Sequence, residues 1–219
     1  MSKALKIKEA FYTLQGEGAQ AGRASVFIRF SKCNLWNGKE SGRAAALCQF
    51  CDTDIMGTDG ENGGDYSLDE LVNLALKLWP DMNQGKPYIV FTGGEPALQL
   101  SNSVVAEFKQ SGFECAVESN GTLPLPANLD WICISPKGKS NVIITHCDEL
   151  KLVYPQTDIK PSDVTHIQSN YYFLSPMADY GLENSGMIIR ENMQAATQYC
   201  LENPIWRISL QTHKLLGIA

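Results

Sequence analysis

No stretch of the sequence approaches the roughly 18 consecutive apolar residues that a membrane-spanning helix needs, so no membrane role is expected. The opening segment, Met1 to Phe11, alternates charged and apolar side chains and lacks an apolar signal-peptide core, which leads us to expect a cytoplasmic protein. An excess of basic charge is missing too: 18 Lys and Arg face 24 Asp and Glu, a net charge of -6. That balance argues against nucleic-acid binding through a broad basic surface, although a local basic pocket for a small molecule survives an acidic average. Internal repeats, low-complexity tracts and linker-like runs are absent, and the length suits one domain over residues 1–219. The 44% hydrophobic content is ample for one core and excludes wholesale disorder.

Histidine is scarce, with only His146, His166 and His213, all scattered downstream of the one close cysteine pair. That pair, Cys48-Gln49-Phe50-Cys51, follows Cys33 after a gap of fourteen residues. Alone it fits a redox couple, half of a zinc site or part of an iron–sulfur site. A closed structural zinc site wants four ligands, commonly two such pairs, and the sequence has no second pair. Three thiolates without a fourth suit a cubane cluster with one iron left open to a substrate. The remaining cysteines, Cys115, Cys133, Cys147 and Cys200, share no spacing. A reducing compartment makes a disulfide framework unexpected. Cys115 and Cys133 lie within apolar runs and read as small core residues.

Apolar runs of strand length recur at Ser25–Phe30, Tyr88–Thr92, Glu114–Ser119, Trp131–Ser135, Leu150–Tyr154 and Tyr171–Leu174. Between them the spacing predicts helices over Leu68–Trp79, Ala97–Gln110 and Ser185–Leu201. The first has a capping box in Ser67 and Glu70 and stops at Pro80, and the second stops at Gly112. The alternation predicts an α/β fold with a parallel sheet of about six core strands and few helices. That is too short for a closed eight-unit barrel and suits an open, partial βα barrel. The chemically suggestive residues fall at strand ends: Cys33, then Thr92-Gly93-Gly94-Glu95, Glu118, Ser135-Pro136-Lys137 and Ser175-Pro176-Met177-Ala178. Ligands of such sheets bind at the carboxyl ends of the strands, so these segments are expected to share one mouth.

Three cysteines after the first buried strand, with Gly93-Gly94-Glu95-Pro96 ending the next, resemble the radical SAM superfamily, whose enzymes cleave S-adenosylmethionine (SAM). The usual superfamily spacing is three and then two residues. The fourteen-residue gap at 34–47, closed by Cys51-Asp52-Thr53, instead resembles the 7-carboxy-7-deazaguanine synthases. Phe11-Tyr12-Thr13-Leu14-Gln15-Gly16-Glu17-Gly18, Val26-Phe27-Ile28-Arg29, Ser135-Pro136-Lys137, Ser175-Pro176-Met177 and a closing strand at Gln211-Thr212-His213-Lys214 extend the resemblance over essentially the whole chain.

The resemblance implies a single radical SAM domain with a cluster-loop insertion at 34–47 and a 4Fe–4S cluster on Cys33, Cys48 and Cys51. It also implies a magnesium ion on the Thr53 hydroxyl, an ion that keeps several waters. SAM would be met by Gln49, Phe50, Asp52, Gly93, Gly94, Glu95, Ser135, Pro136, Lys137, Ser175, Pro176, Met177 and Ala178. Gly93 and Gly94 lack a Cβ and permit close backbone approach, and Glu95 suits the SAM amino group. Phe50 suits either the adenine or packing near the cluster. The implied substrate is 6-carboxy-5,6,7,8-tetrahydropterin, met by Leu14, Gln15, Gly16, Arg29, Thr92 and the terminal carboxylate of Ala219. A guanidinium can bind both oxygens of the substrate carboxylate, while a solvent-facing strand arginine is the plainer reading of Arg29. Glu118 is the candidate proton relay, or else binds a nearby backbone amide.

The implied reaction is a radical ring contraction with loss of ammonia, giving 7-carboxy-7-deazaguanine for queuosine and other 7-deazapurines. A one-electron reductant such as a flavodoxin or ferredoxin and a homodimer come with it. Another radical SAM reaction, such as glycyl-radical activation, and a zinc-stabilised interaction module are the competing readings.

Overall fold

The computed structural model describes residues 4–178 and 189–218 and contains one nine-stranded sheet. Its strands are β1 (Leu5–Leu14), β2 (Ala24–Phe30), β3 (Gly64–Tyr66), β4 (Tyr88–Gly93), β5 (Glu114–Ser119), β6 (Trp131–Ile134), β7 (His146–Tyr154), β8 (Gln168–Pro176) and β9 (Trp206–Ile208). They lie in the order β3-β1-β2-β4-β5-β6-β7-β8-β9. From β2 to β9 every neighbouring pair is parallel, whereas β1 runs antiparallel to both β2 and β3. The six strands expected from the sequence are the central six. Among the described residues the sheet ends at β3 and β9 without closing, so it is an open, mostly parallel α/β sheet with few helices.

Helices α1 (Leu68–Leu78), α2 (Asn102–Gln110) and α3 (Arg190–Glu202) cover one face, and α4 (Thr212–Leu216) is a short terminal turn of helix. Ile7, Val26, Ile28, Phe30, Ile89, Phe91, Cys115 and Val117 pack beneath α1 and α2. Ile134, Leu150, Leu152 and Leu174 join Ala196 of α3 and Trp206 in a second cluster. Side chains alternate across a strand, so the intervening residues Arg29, Thr92, Glu118, Ser135, Lys151 and Ser175 face the other way. They line the cavity described below. The floor of that inner face is aromatic, with Phe11 stacked on Phe27 at 5.6 Å and Trp131 against Tyr171 at 5.9 Å.

Helix α1 begins as expected, with Ser67 N donating to Glu70 Oε2 at 2.8 Å and Glu70 N to Ser67 Oγ at 3.4 Å. The expected helix over 97–110 divides in two. A 3-10 turn at Pro96–Leu98 ends, and α2 starts afresh where the Ser101 side chain accepts from Val104 N. The third expected helix begins no earlier than Arg190, because Ile189 is extended, and residues 185–188 lie outside the described residues. The expected closing strand at 211–214 is a correction: Thr212–Leu216 is helical, and Trp206–Ile208 ends the sheet instead. Strands β1, β3 and β9 were not evident from periodicity. β3 and β9 are three residues each, and β1 carries Lys6, Lys8 and Glu9 within its apolar run.

Candidate active site

The carboxyl ends of the parallel strands open into a cavity of about 790 Å³. Twenty of the expected site residues line it: Leu14, Gln15, Gly16, Arg29, Cys33, Cys48, Phe50, Cys51, Asp52, Thr53, Thr92, Gly93, Gly94, Glu118, Ser135, Lys137, Ser175, Pro176, Met177 and Ala178. Gln49 does not: it is exposed, and its amide donates to Ala44 O at 3.1 Å. Pro136 is buried behind the wall, where its carbonyl accepts from Gln156. Ala219 lies outside the described residues.

Glu95 does not line the cavity either. Its carboxylate is fully buried and accepts from Ala97 N (2.9 Å), Ser119 Oγ (2.8 Å) and Asn120 N (2.8 Å). Burial pushes its pKa up, and these donors oppose that rise. The side chain therefore ties the end of β4 to the end of β5, with three donors on its two oxygens.

The cysteine rim forms where β2 ends. Glu95 N donates to Lys32 O at 2.9 Å and Gly94 N to Phe30 O at 3.2 Å, so the Gly93-Gly94 backbone lies directly against the approach to Cys33. Cys48 and Cys51 follow the 34–47 loop, where Glu40–Ala45 is a 3-10 stretch. Arg43 organises this loop. Its Nη1 donates to both Gln49 O and Cys51 O at 3.0 Å, its Nε pairs with Glu40, and its guanidinium lies 4.3 Å over the Trp36 ring. Arg43→Ala removes the donor that gathers both carbonyls around Cys51. We expect the unreconstituted protein to lose ~1–2 kcal/mol of stability and to take up less iron, both readable by thermal unfolding and iron analysis.

A hydrogen bond from Cys48 draws the Cys51 thiol down to about 6 and raises Cys48 itself, while burial raises Cys33. Among the described residues no three His, Cys, Asp or Glu side chains are arranged to hold one metal ion. Three thiols nevertheless line one wall of the cavity. All-thiolate donation of this kind fits an iron–sulfur cluster.

A charged ring around the buried Lys151 also lines the cavity. Lys151 Nζ lies 2.6 Å from Glu17 Oε2 and 3.3 Å from Glu118 Oε2. Gln15 Nε2 donates to Glu118 Oε1 at 3.0 Å, and Glu17 N donates to Gln15 Oε1 at 3.1 Å. Burial works against charge on Glu17, but the ammonium of Lys151 overrides it and brings the carboxyl to about 2. Beside the ring, Thr212 N and Oγ1 donate to Gly16 O at 2.9 and 2.8 Å, which lays α4 over the Leu14–Gly16 turn. Lys214 reaches Asp52 at 2.9 Å, and His213, whose pKa burial lowers, completes that wall.

Arg29 is not solvent-facing. It lies on the inner face with its Nε 2.6 Å from Glu9 Oε1. Lys8, also inward, is held by Asp54 and Asp59 at 2.6 Å each and by Met56 O at 2.9 Å, which pins the segment after Thr53. Lys8, Glu9, Glu17, Lys151 and His213 went unassigned in the sequence reading. For Lys151 the available signal was charge at every second position of an apolar strand, as in Glu149-Leu150-Lys151-Leu152, whereas Glu17 and His213 lie outside the strands.

No family model matches the chain. Curated relatives match it nearly end to end. A 7-carboxy-7-deazaguanine synthase of Bordetella pertussis is 49% identical over 98% of this chain and 99% of its own. One from Bradyrhizobium diazoefficiens is 48% identical over 97% and 98%, and one from Bacteroides thetaiotaomicron 35% identical over 97% and 98%. The crystal structure of QueE from Escherichia coli shares the fold, with a TM-score of 0.68 at 22% identity over 94% of this chain and 93% of that one. By this extent of identity over its whole length, the chain belongs to the 7-carboxy-7-deazaguanine synthase family.

Proposed function

We propose that this chain converts 6-carboxy-5,6,7,8-tetrahydropterin to 7-carboxy-7-deazaguanine with loss of ammonia, as a SAM- and magnesium-dependent lyase of 7-deazapurine and queuosine synthesis. The observation that carries the proposal is a single cavity with three thiols on one wall and a Lys151–Glu118–Gln15 ring on another. Cys33, Cys48 and Cys51 would hold a 4Fe–4S cluster, which supplies the one-electron cleavage of SAM. Residues 34–47 are then the cluster-loop insertion of one radical SAM domain.

Each remaining residue acts from its place in that cavity. Ser135, Lys137, Ser175, Pro176, Met177 and Ala178 form the strand-end wall for SAM, with Phe50 and Lys137 5.9 Å apart across it. Arg29 offers its two Nη groups to the substrate carboxylate, since Glu9 engages only Nε. Thr92 and the Leu14–Gly16 turn supply hydrogen bonds to the pterin edge, and Glu118 holds or moves a proton there. Thr53 offers its hydroxyl to magnesium. A flavodoxin or ferredoxin as electron donor, a cytoplasmic setting and a homodimer belong to the same reading. Among the described residues no helix is long and apolar enough to cross a membrane.

The test is product analysis after anaerobic reconstitution with iron and sulfide, using SAM, Mg²⁺, dithionite and the carboxytetrahydropterin. We expect 7-carboxy-7-deazaguanine and 5′-deoxyadenosine together. Formation of 5′-deoxyadenosine alone would keep the radical chemistry and overturn the substrate.

A further inference from the structure

The one cation in the buried ring, Lys151, has no role in the reaction as set out above. It projects from the middle of β7, and its side chain is only 6% exposed. Two carboxylates from different parts of the chain converge on it: Glu17 from the turn after β1 and Glu118 from β5. Gln15 closes the figure, donating to Glu118 and accepting from Glu17 N. Two links through the ammonium and two through Gln15 thus join the 15–17 turn, β5 and β7.

We propose that Lys151 is a positioning residue, which holds the 15–17 turn and Glu118 in one register. The inference rests on the reading that Gln15 and Glu118 face the substrate. Lys151 cannot itself serve as a base or nucleophile. Burial would lower its pKa, yet Glu118 and Glu17 outweigh burial and raise it well above the ordinary lysine range, so it stays an ammonium. Buried charge of this kind is costly to leave unpaired. With Lys151 gone, Glu17 would face the Glu118 carboxylate without a cation, and a like charge nearby favours protonation of Glu17.

The groups facing Lys151 are Glu118 from β5, Cys133 from β6, Glu149 from β7, Glu17 from the turn and His213 from α4. Glu149 cannot replace the lysine's partners. Its carboxylate is committed to Ala19 N at 2.9 Å and accepts from Cys133 Sγ at 3.6 Å.

The sign of the pH effect follows. Glu17 titrates at about 2 beside Lys151. Without the ammonium, burial is opposed only by the Gln211 hydrogen bond and by His213, so the carboxyl should rise. The acidic limb of turnover should therefore move to higher pH in Lys151→Met.

The experiment uses reconstituted full-length wild type, Lys151→Met, Lys151→Arg and the double variant Lys151→Met/Glu17→Gln. We expect Lys151→Met to retain its iron and its SAM cleavage to 5′-deoxyadenosine. Its kcat for the deazaguanine product should fall at least about 100-fold, with the acidic limb raised by at least about one pH unit. Lys151→Arg should recover part of kcat and return the limb. The double variant removes the orphaned charge, so it should regain thermal stability without regaining turnover.

A Lys151→Met enzyme within about threefold of wild type in kcat, or one with an unmoved pH limb, would overturn the inference while leaving the proposed reaction intact. A wild type that makes no deazaguanine would overturn the reaction. The inference is then decided by infrared titration of the Glu17 carboxylate, assigned by difference against Glu17→Gln. Glu17 titrating at the same pH with and without Lys151 would sink it; a rise in Lys151→Met would sustain it.

Discussion

Replacing Cys33, Cys48 or Cys51 singly with Ala is expected to reduce product formation at least about 1,000-fold and to leave a protein that holds no intact 4Fe–4S cluster. The three thiols share one wall of the cavity, and the hydrogen bond between Cys48 and Cys51 places that pair side by side. The remaining cysteines serve as internal controls. Cys115 is fully buried in the core under α2, with its thiol pushed up to about 12 by burial. It does not line the cavity, so it stands apart from the wall that carries the other three thiols. Cys115→Ala should cost about 1 kcal/mol through the small cavity it leaves and should leave iron content unchanged. Optical absorbance and iron analysis of the four variants separate these outcomes. Equal iron retention by Cys51→Ala and Cys115→Ala would refute the assignment.

Gly94→Ala is expected to cost as much as a cysteine change, for a different reason. A Cβ built on Gly94 would lie 2.1 Å from Lys32 O, 2.4 Å from Lys32 C and 2.8 Å from Cys33 N. All three are backbone atoms, so no side-chain rotation relieves the clash. The segment entering Cys33 must move, and the bond from Glu95 N to Lys32 O must lengthen or break. Overpacking of this kind costs about 2–3 kcal/mol, or roughly 5–10 °C of melting temperature for a chain of this size. We expect both that loss in the apoprotein and failed cluster assembly at ordinary iron and sulfide concentrations. A Gly94→Ala protein that melts with wild type and reconstitutes fully would mean that the seam between β2 and β4 is looser than these distances indicate.

The central strands were legible because both of their faces are covered. In β4, Tyr88 to Thr92 are all buried, and an unbroken apolar run marks that situation. The shared mouth was legible for a related reason, since glycine, proline and polar residues collect where such runs stop. Strand β1 was hidden by Lys8, a buried ammonium whose partners Asp54 and Asp59 lie more than forty residues away. The ring around Lys151 was hidden in the same way, since Glu17 and Glu118 approach it only once β1, β5 and β7 are assembled. Glu95 shows the converse case. Within Gly93-Gly94-Glu95-Pro96 it resembles a ligand, but its oxygens are taken by Ala97, Ser119 and Asn120. Short-range pattern identifies which residues stand at the mouth, but long-range pairing determines which of them are left free to bind.

The central claim is that cluster chemistry and pterin chemistry occur in one cavity. Its most direct test is turnover of a 6-carboxytetrahydropterin deuterated on its ring carbons, with the masses of both products recorded. The account predicts 7-carboxy-7-deazaguanine accompanied by 5′-deoxyadenosine that has gained deuterium from the substrate. Deazaguanine formed without deuterium in the nucleoside, or deuterium-free 5′-deoxyadenosine with the pterin unconsumed, would contradict it.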